Sequence, residues 1–290
     1  MSRHAPAPRL FNDRPAAGEP VNRMMKEARD THARAFRSPA LCNFYHWYWF
    51  TPPSGRWAYK PNGKSGTTST LAFLFWAEFG HPVSTAMHAP GDMNDDAILH
   101  RLTTLDLFRR AHHRRDIDSL TGFLGDTTRL TTVRHPATRA ISAFRYLSRS
   151  HALSHEQFAR DRLRMTAVTG MDWTRDADSP EGFERFLDYV AYEIETEDEV
   201  PVNNHWGLQV SAIRPDLYPP HAVGRCEALG AFFGGLADRW GLDPARAADF
   251  AAAPLNAGGG ARAFAPSPHA RSRIAEIYAP DFEAFGYDPD

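Results

Sequence analysis

Two cysteines in 290 residues, Cys42 and Cys226, are too few and too far apart for a disulfide scaffold, and neither stands in the Cys/His spacing of a zinc ribbon. A reducing compartment fits that usage. Lysine is nearly as scarce: Lys26, Lys60 and Lys64 stand against thirty arginines. The bias is that of a GC-rich genome, and it makes two lysines within five residues worth explaining. An excess of charge is missing too. The formal net charge is −2 and the pI about 6.7, so no overall field draws nucleic acid, and any anion site must be a local cluster. Long apolar runs are also absent. The longest uncharged stretch, residues 38–55, is interrupted by Asn43, His46 and Pro52-Pro53, which makes it a poor membrane span. Its aromatic residues, Phe44 to Phe50, suit a core or a pocket wall. The first residues, MSRHAPAPRLFNDRP, hold no apolar signal core. A cytoplasmic protein is expected.

With 42% hydrophobic and 23% charged residues the chain has a globular composition, and at this length roughly three quarters of the unfolded surface is expected to be buried. Residues 1–40 read as an N-terminal arm and residues 41–290 as one domain, with a second linker-like stretch, Ala-, Gly- and Pro-rich, at 254–268. Short apolar runs predict strands at Trp57–Tyr59, Val83–Met87, Leu130–Val133 and Ala222–Val223. A helix is predicted over Leu71–Phe79, stopped by Gly80 before His81-Pro82. Strand followed by helix, repeated, implies an α/β fold with a central parallel sheet flanked by helices.

The first candidate site is Trp57-Ala58-Tyr59-Lys60-Pro61-Asn62-Gly63-Lys64-Ser65-Gly66-Thr67-Thr68-Ser69, a strand, a glycine turn and a helix start. Such a loop aims backbone N–H groups, the helix dipole and hydroxyls at one point, which suits a phosphate or sulfate. Lys64 adds a mobile positive charge. The plainer alternative is a turn with a solvated lysine. The loop also fits a relaxed Walker A motif with Ala58 where the strict pattern has glycine. A P-loop kinase would then need an apolar strand ending in Asp to hold magnesium, whereas Leu130–Val133 ends in Arg134.

That arginine opens the second site. Pro136 suits a helix start, and helical spacing sets Ala137, Ile141, Phe144 and Ser148 on one face and Thr138, Ser142, Arg145 and Arg149 on the other. Arg134 at the strand end and Ser142 on the helix are able to grip one phosphate from two directions, although a polar solvated face explains the pattern as well.

Together the two sites resemble the sulfotransferases that use 3′-phosphoadenosine 5′-phosphosulfate, PAPS. Lys64-Ser65-Gly66-Thr67-Thr68-Ser69 is similar to their 5′-phosphosulfate loop, and Arg134 with Ser142 to their 3′-phosphate site. Val133-Arg134-His135-Pro136 followed by Arg139 and Ser142-Ala143 is closest to the carbohydrate branch. Asn204-His205-Trp206 with Gln209, Val223-Gly224 with Glu227, and Tyr278-Ala279-Pro280-Asp281-Phe282 with Phe285-Gly286-Tyr287 resemble its later elements. The resemblance implies a P-loop nucleotide-binding-like fold in a soluble bacterial enzyme, with Lys64 as the catalytic cation. Ser65, Gly66, Thr67, Thr68, Ser69, Arg134 and Ser142 would bind PAPS, with PAP as product and no metal. The acceptor would be a saccharide or another small molecule.

The acceptor hydroxyl needs a base, for which histidine is the natural choice. By the resemblance this histidine stands at a strand end about twenty residues before the 3′-phosphate arginine, which points to His112 or His113, with His88 and His205 in reserve. A P-loop kinase using ATP and magnesium, and a non-catalytic binder of adenosine phosphates, remain the alternatives. Neither acceptor identity nor oligomeric state is legible.

Overall fold

The computed structural model describes residues 14–93, 97–252 and 265–289. Among these, five strands form one sheet in the order β3-β1-β2-β4-β5. They are β1 (Phe50–Thr51), β2 (Trp57–Lys60), β3 (Arg109–Arg110), β4 (Thr128–Val133) and β5 (Ala222–Arg225). The central strands run parallel, with Lys60 beside Thr131 and Thr131 beside Val223. The α/β fold with a parallel sheet is therefore present, and a two-strand antiparallel edge, β1 and β3, completes a mixed sheet.

One predicted strand does not form. Val83–Met87 is irregular and only partly covered, between Pro82 and Pro90, and pairs with no other strand. Proline supplies no backbone donor, so two prolines close by weaken any ladder.

Successive residues of a strand face opposite sides, and this sorts the core into layers. Trp57, Tyr59 and Leu130 face α3 (Thr67–Phe79), α4 (Ala97–His100), α11 (Leu229–Trp240) and α12 (Pro244–Ala252). Ala58 faces α1 (Glu19–His32), α2 (Pro39–Trp47) and α5 (Leu120–Asp126) with Trp49 and Tyr218. Val21, Met24, Met25 and Ala28 form the buried stripe of α1. Within the expected arm, residues 19–32 thus form α1 and α2 begins at Pro39, while residues 1–13 and the linker stretch 254–264 lie outside the described residues.

A third cluster is helical. It joins α6 (Pro136–Ala152), α7 (Ala159–Thr169), α8 (Trp173–Asp176), α9 (Pro180–Glu195), α13 (Pro268–Ile277) and α14 (Ala279–Phe285) around Phe144, Phe183, Phe186 and Trp206. The short helix α10 (Gln209–Ile213) precedes β5. Among the described residues no helix is long and apolar enough to cross a membrane.

Strands β2 and β4 are neighbours and parallel, so the segments leaving their carboxyl ends, 61–66 and 134–135, emerge side by side. In open α/β sheets this is where ligands bind.

Candidate active site

The loop after β2 turns on two residues of positive φ, Lys64 at 62° and Gly66 at 77°. Gly66 caps α3 with no side-chain hydrogen bond, and a Cβ there would sit 2.7 Å from Leu229 Cδ1. The first N–H groups of a helix have no partner within it. An uncapped start opening from such a loop is a cradle for an anion. Lys64, Gly66 and Thr67 are half-buried, whereas Ser65, Thr68 and Ser69 are buried.

The hydroxyls of the loop point in different directions. Thr67 Oγ1 donates to the Asn62 carbonyl at 2.7 Å, and Thr68 Oγ1 meets His100 Nε2 at 3.1 Å. Ser65 Oγ turns inward to Gln209 Oε1 at 3.1 Å. Its hydroxyl therefore fixes the loop from below.

Gln209 is the hub of this support. Its Oε1 accepts from Asn62 Nδ2 at 2.8 Å and from the Arg134 amide at 3.0 Å, and its Nε2 donates to the Arg134 carbonyl at 2.8 Å. Asp281, wholly buried, accepts from the Gln209 and Val210 amides at 2.9 and 2.8 Å, holding the start of α10. Arg139 completes the frame. Its buried guanidinium donates to the carbonyls of Gly63, Gly207 and Asn204 at 2.9, 2.7 and 2.7 Å. Gly63 belongs there because a Cβ would lie 2.5 Å from the Asn204 carbonyl oxygen.

Arg134 lies at the rim. Its Nε donates to Thr138 Oγ1 at 3.1 Å and its Nη1 to the Lys64 carbonyl at 3.4 Å. The guanidinium has further N–H groups to offer an anion. Ser142 is half-buried on α6, two turns beyond Pro136. The expected two faces of α6 hold in outline, since Thr138 and Arg149 are exposed and Phe144 and Ser148 are buried, with Arg139 the buried exception.

The histidines divide into two groups. His112 and His113 follow β3, which runs parallel to β2 two strands away, so they stand at the same end of the sheet as Lys64. His112 is fully buried under Trp47, ring centroids 4.5 Å apart, and neither ring nitrogen meets a partner with hydrogen-bond geometry. Burial, then His113 and Arg110, lower its pKa to about 3. Burial and then Arg110 also lower that of His113. Among the described residues no hydrogen bond or ring contact joins them to the loop.

His205 is brought to the loop. It lies next to Asn204, against Gly63, and stacks on Tyr146 with centroids 5.8 Å apart, while Lys64 Nζ lies 3.2 Å from the centroid of that same ring. Nδ1 of His205 donates to Asn203 Oδ1 at 2.8 Å. That bond leaves the lone pair on Nε2. Burial first, then the charges of Lys64 and Arg139, hold its pKa well below the usual imidazole value, so the ring is neutral and able to accept a proton at neutral pH. His100 joins this group through Thr68, and no sequence signal pointed to it. His88 lies on an exposed irregular stretch.

The three downstream motifs meet at the same place. Glu227 accepts from the His135 amide at 2.8 Å and from the Tyr287 hydroxyl at 3.0 Å, and Tyr278 donates to the Trp206 carbonyl at 2.8 Å. Residues that are individually weak signals in the sequence thus form one wall behind β4.

No curated protein and no solved structure matches the chain. The model of the Sulfotransferase family matches residues 93–288, which hold Arg134, Arg139, His205, Gln209 and Asp281 but begin after the Lys64 loop. The loop joins the site through its bonds to those residues, and with the match covering more than half of its length the chain belongs to the sulfotransferase family.

Proposed function

We propose that this protein transfers the sulfuryl group of PAPS to a hydroxyl of a small-molecule or saccharide acceptor. The observation that carries the reading is the bonding of the two anion sites into one frame. Lys64 and Arg134, at the carboxyl ends of adjacent parallel strands, are joined directly and through Gln209. The cradle fits the co-substrate's anionic groups: the uncapped α3 start and Lys64 suit the 5′-phosphosulfate, and Arg134 with Ser142 suits the 3′-phosphate.

In an in-line displacement the acceptor oxygen forms a bond to sulfur as the bond from sulfur to the bridging oxygen breaks, and PAP leaves with that electron pair. Negative charge grows on the bridging oxygen. Lys64 and the loop N–H groups stabilise it by preorganised electrostatics. The acceptor proton goes to Nε2 of His205. We assign the base role to His205 rather than to His112 or His113 because its lone pair is set by Asn203 and its ring shares Tyr146 with Lys64.

The test has two arms. A thermal shift should be larger with 3′,5′-adenosine bisphosphate than with ATP and magnesium, because a ligand of the native state alone stabilises it by mass action. Lys64→Ala should lower turnover of PAPS by roughly a hundredfold or more while the protein stays folded. A preference for ATP and magnesium, or near wild-type turnover in the variant, would remove the reading.

A further inference from the structure

Four arginines stand on or just before α6: Arg134, Arg139, Arg145 and Arg149. Three of them have partners. Arg139 meets its three carbonyls, Arg149 donates to the Met93 carbonyl at 3.1 Å, and Arg134 binds Thr138 and the Lys64 carbonyl. Arg145 differs. It is half-buried, its Nε is shielded from solvent without a hydrogen-bond partner, and among the described residues its guanidinium forms no salt bridge. A shielded donor left unmatched is costly, and native folds seldom keep one without a use.

Helix geometry sets where that guanidinium lies. Thr138, Ser142, Arg145 and Arg149 share one face of α6. At 3.6 residues per turn, Tyr146 lies about 40° from Ser142 on one side, and Arg145 about 60° from it on the other. The Tyr146 side belongs to the loop, since Tyr146 carries Lys64 and Arg139 there holds the Gly63 carbonyl. The Arg145 side is that of Thr138. Helical side chains lean toward the helix N-terminus, so Arg145 leans back over the turn of Ser142, toward the Thr138 hydroxyl that accepts from Arg134. Arg134 and Arg145 thus border the Ser142 hydroxyl from its two ends.

The charge balance points the same way. A phosphate monoester carries about −1.5 to −2 at neutral pH. Arg134 supplies one positive charge and Ser142 none, while Glu227 sets a carboxylate on the adjoining His135 amide. Arg225, at the end of β5, is held over the Tyr287 ring by the carbonyls of Phe285 and Gly286. On the Ser142 face of α6 the other cations are Arg145 and Arg149, and Arg149 is tied to Met93.

Resting on the sulfuryl-transfer reading above, we propose that Arg145 is a second guanidinium on the 3′-phosphate of PAPS and sets the preference for a 3′-phosphorylated nucleotide over one without that group. Arg134 holds the phosphate from the strand end and Arg145 from the flank of Ser142 away from the loop. The phosphate oxygens then give the shielded Nε the acceptor it lacks, in a charge-assisted bond.

Calorimetry on the full chain with 3′,5′-adenosine bisphosphate and with adenosine 5′-phosphate tests this without the reaction. Arg145→Met keeps the length and packing of the side chain and removes its charge and donors. It should weaken the bisphosphate at least about tenfold and leave the 5′-phosphate within about twofold, because only the first ligand carries the group that the guanidinium meets. Arg145→Lys should restore part of the lost preference as a point charge. A purely structural arginine would weaken both ligands equally, and that result overturns the proposal. So does an unchanged preference in Arg145→Met, including the case in which the variant instead loses affinity for an anionic acceptor. Either result leaves the sulfuryl-transfer reading in place. A wild-type chain that binds the two nucleotides equally would remove that reading, and this assignment with it.

Discussion

Lys64, Tyr146 and His205 form a stack in which one aromatic ring carries an ammonium near its centre and an imidazole beside it. The positive neighbour has a chemical cost and a use: it weakens His205 as a base, yet it keeps the ring unprotonated. Wild-type turnover should therefore fall on the acid side with a midpoint below 6.5, because the active form is the neutral imidazole and its pKa is lowered. His205→Ala should reduce turnover by about 10²–10⁴-fold with nucleotide affinity nearly unchanged, and should abolish that acid limb. If the loss and the limb follow His112→Ala or His113→Ala instead, the base lies at the end of β3. The sequence made Lys64 and Arg134 visible through scarcity and spacing. It did not make the frame beneath them visible, because an arginine such as Arg139, on a polar-looking helix start, reveals nothing of the three carbonyls it will meet.

The strand–loop–helix unit from β2 to α3 was legible as a unit, since glycine, lysine and hydroxyl residues after an apolar run have few other uses. The two-residue strands β1 and β3 were not, because two residues carry no period. Val83–Met87 is the opposite case: an apolar run predicts a strand, and the flanking prolines prevent its pairing. Within the legible unit Gly66 is the most exacting position. A left-handed φ of 77° costs an alanine roughly 1–2 kcal/mol, and the added methyl meets Leu229. Gly66→Ala should lower denaturant stability by about that amount. It should also weaken bisphosphate binding more than tenfold, read by calorimetry, since the cradle turns on this residue. A stable variant with intact affinity would show that the loop tolerates another backbone path.

Across the whole molecule, burial of histidines links stability to pH. His46 and His112 are fully buried, and their pKa values fall from 6.5 to about 4 and about 3. Unfolding lets both take protons below pH 6.5, so their neutral burial carries no penalty above that value and destabilises the fold progressively as pH falls toward 4. Between pH 7 and pH 5 the loss should be about 2 kcal/mol for each, measured by urea denaturation at the two values, and His46→Phe should reduce the slope. A pH-independent midpoint over that interval would contradict their burial. The frame of Gln209, Arg139 and Asp281 also carries a consequence in time. A ribosome makes the Lys64 loop long before Asp281, which comes 217 positions later, roughly 10–40 s at ordinary elongation rates. Until then the Gln209 and Val210 amides lack the carboxylate that accepts from them, and α10 is tied to the loop through the Gln209 side chain alone. The anion cradle is thus encoded early and finished late, and a nascent chain carries an incomplete one for most of its synthesis.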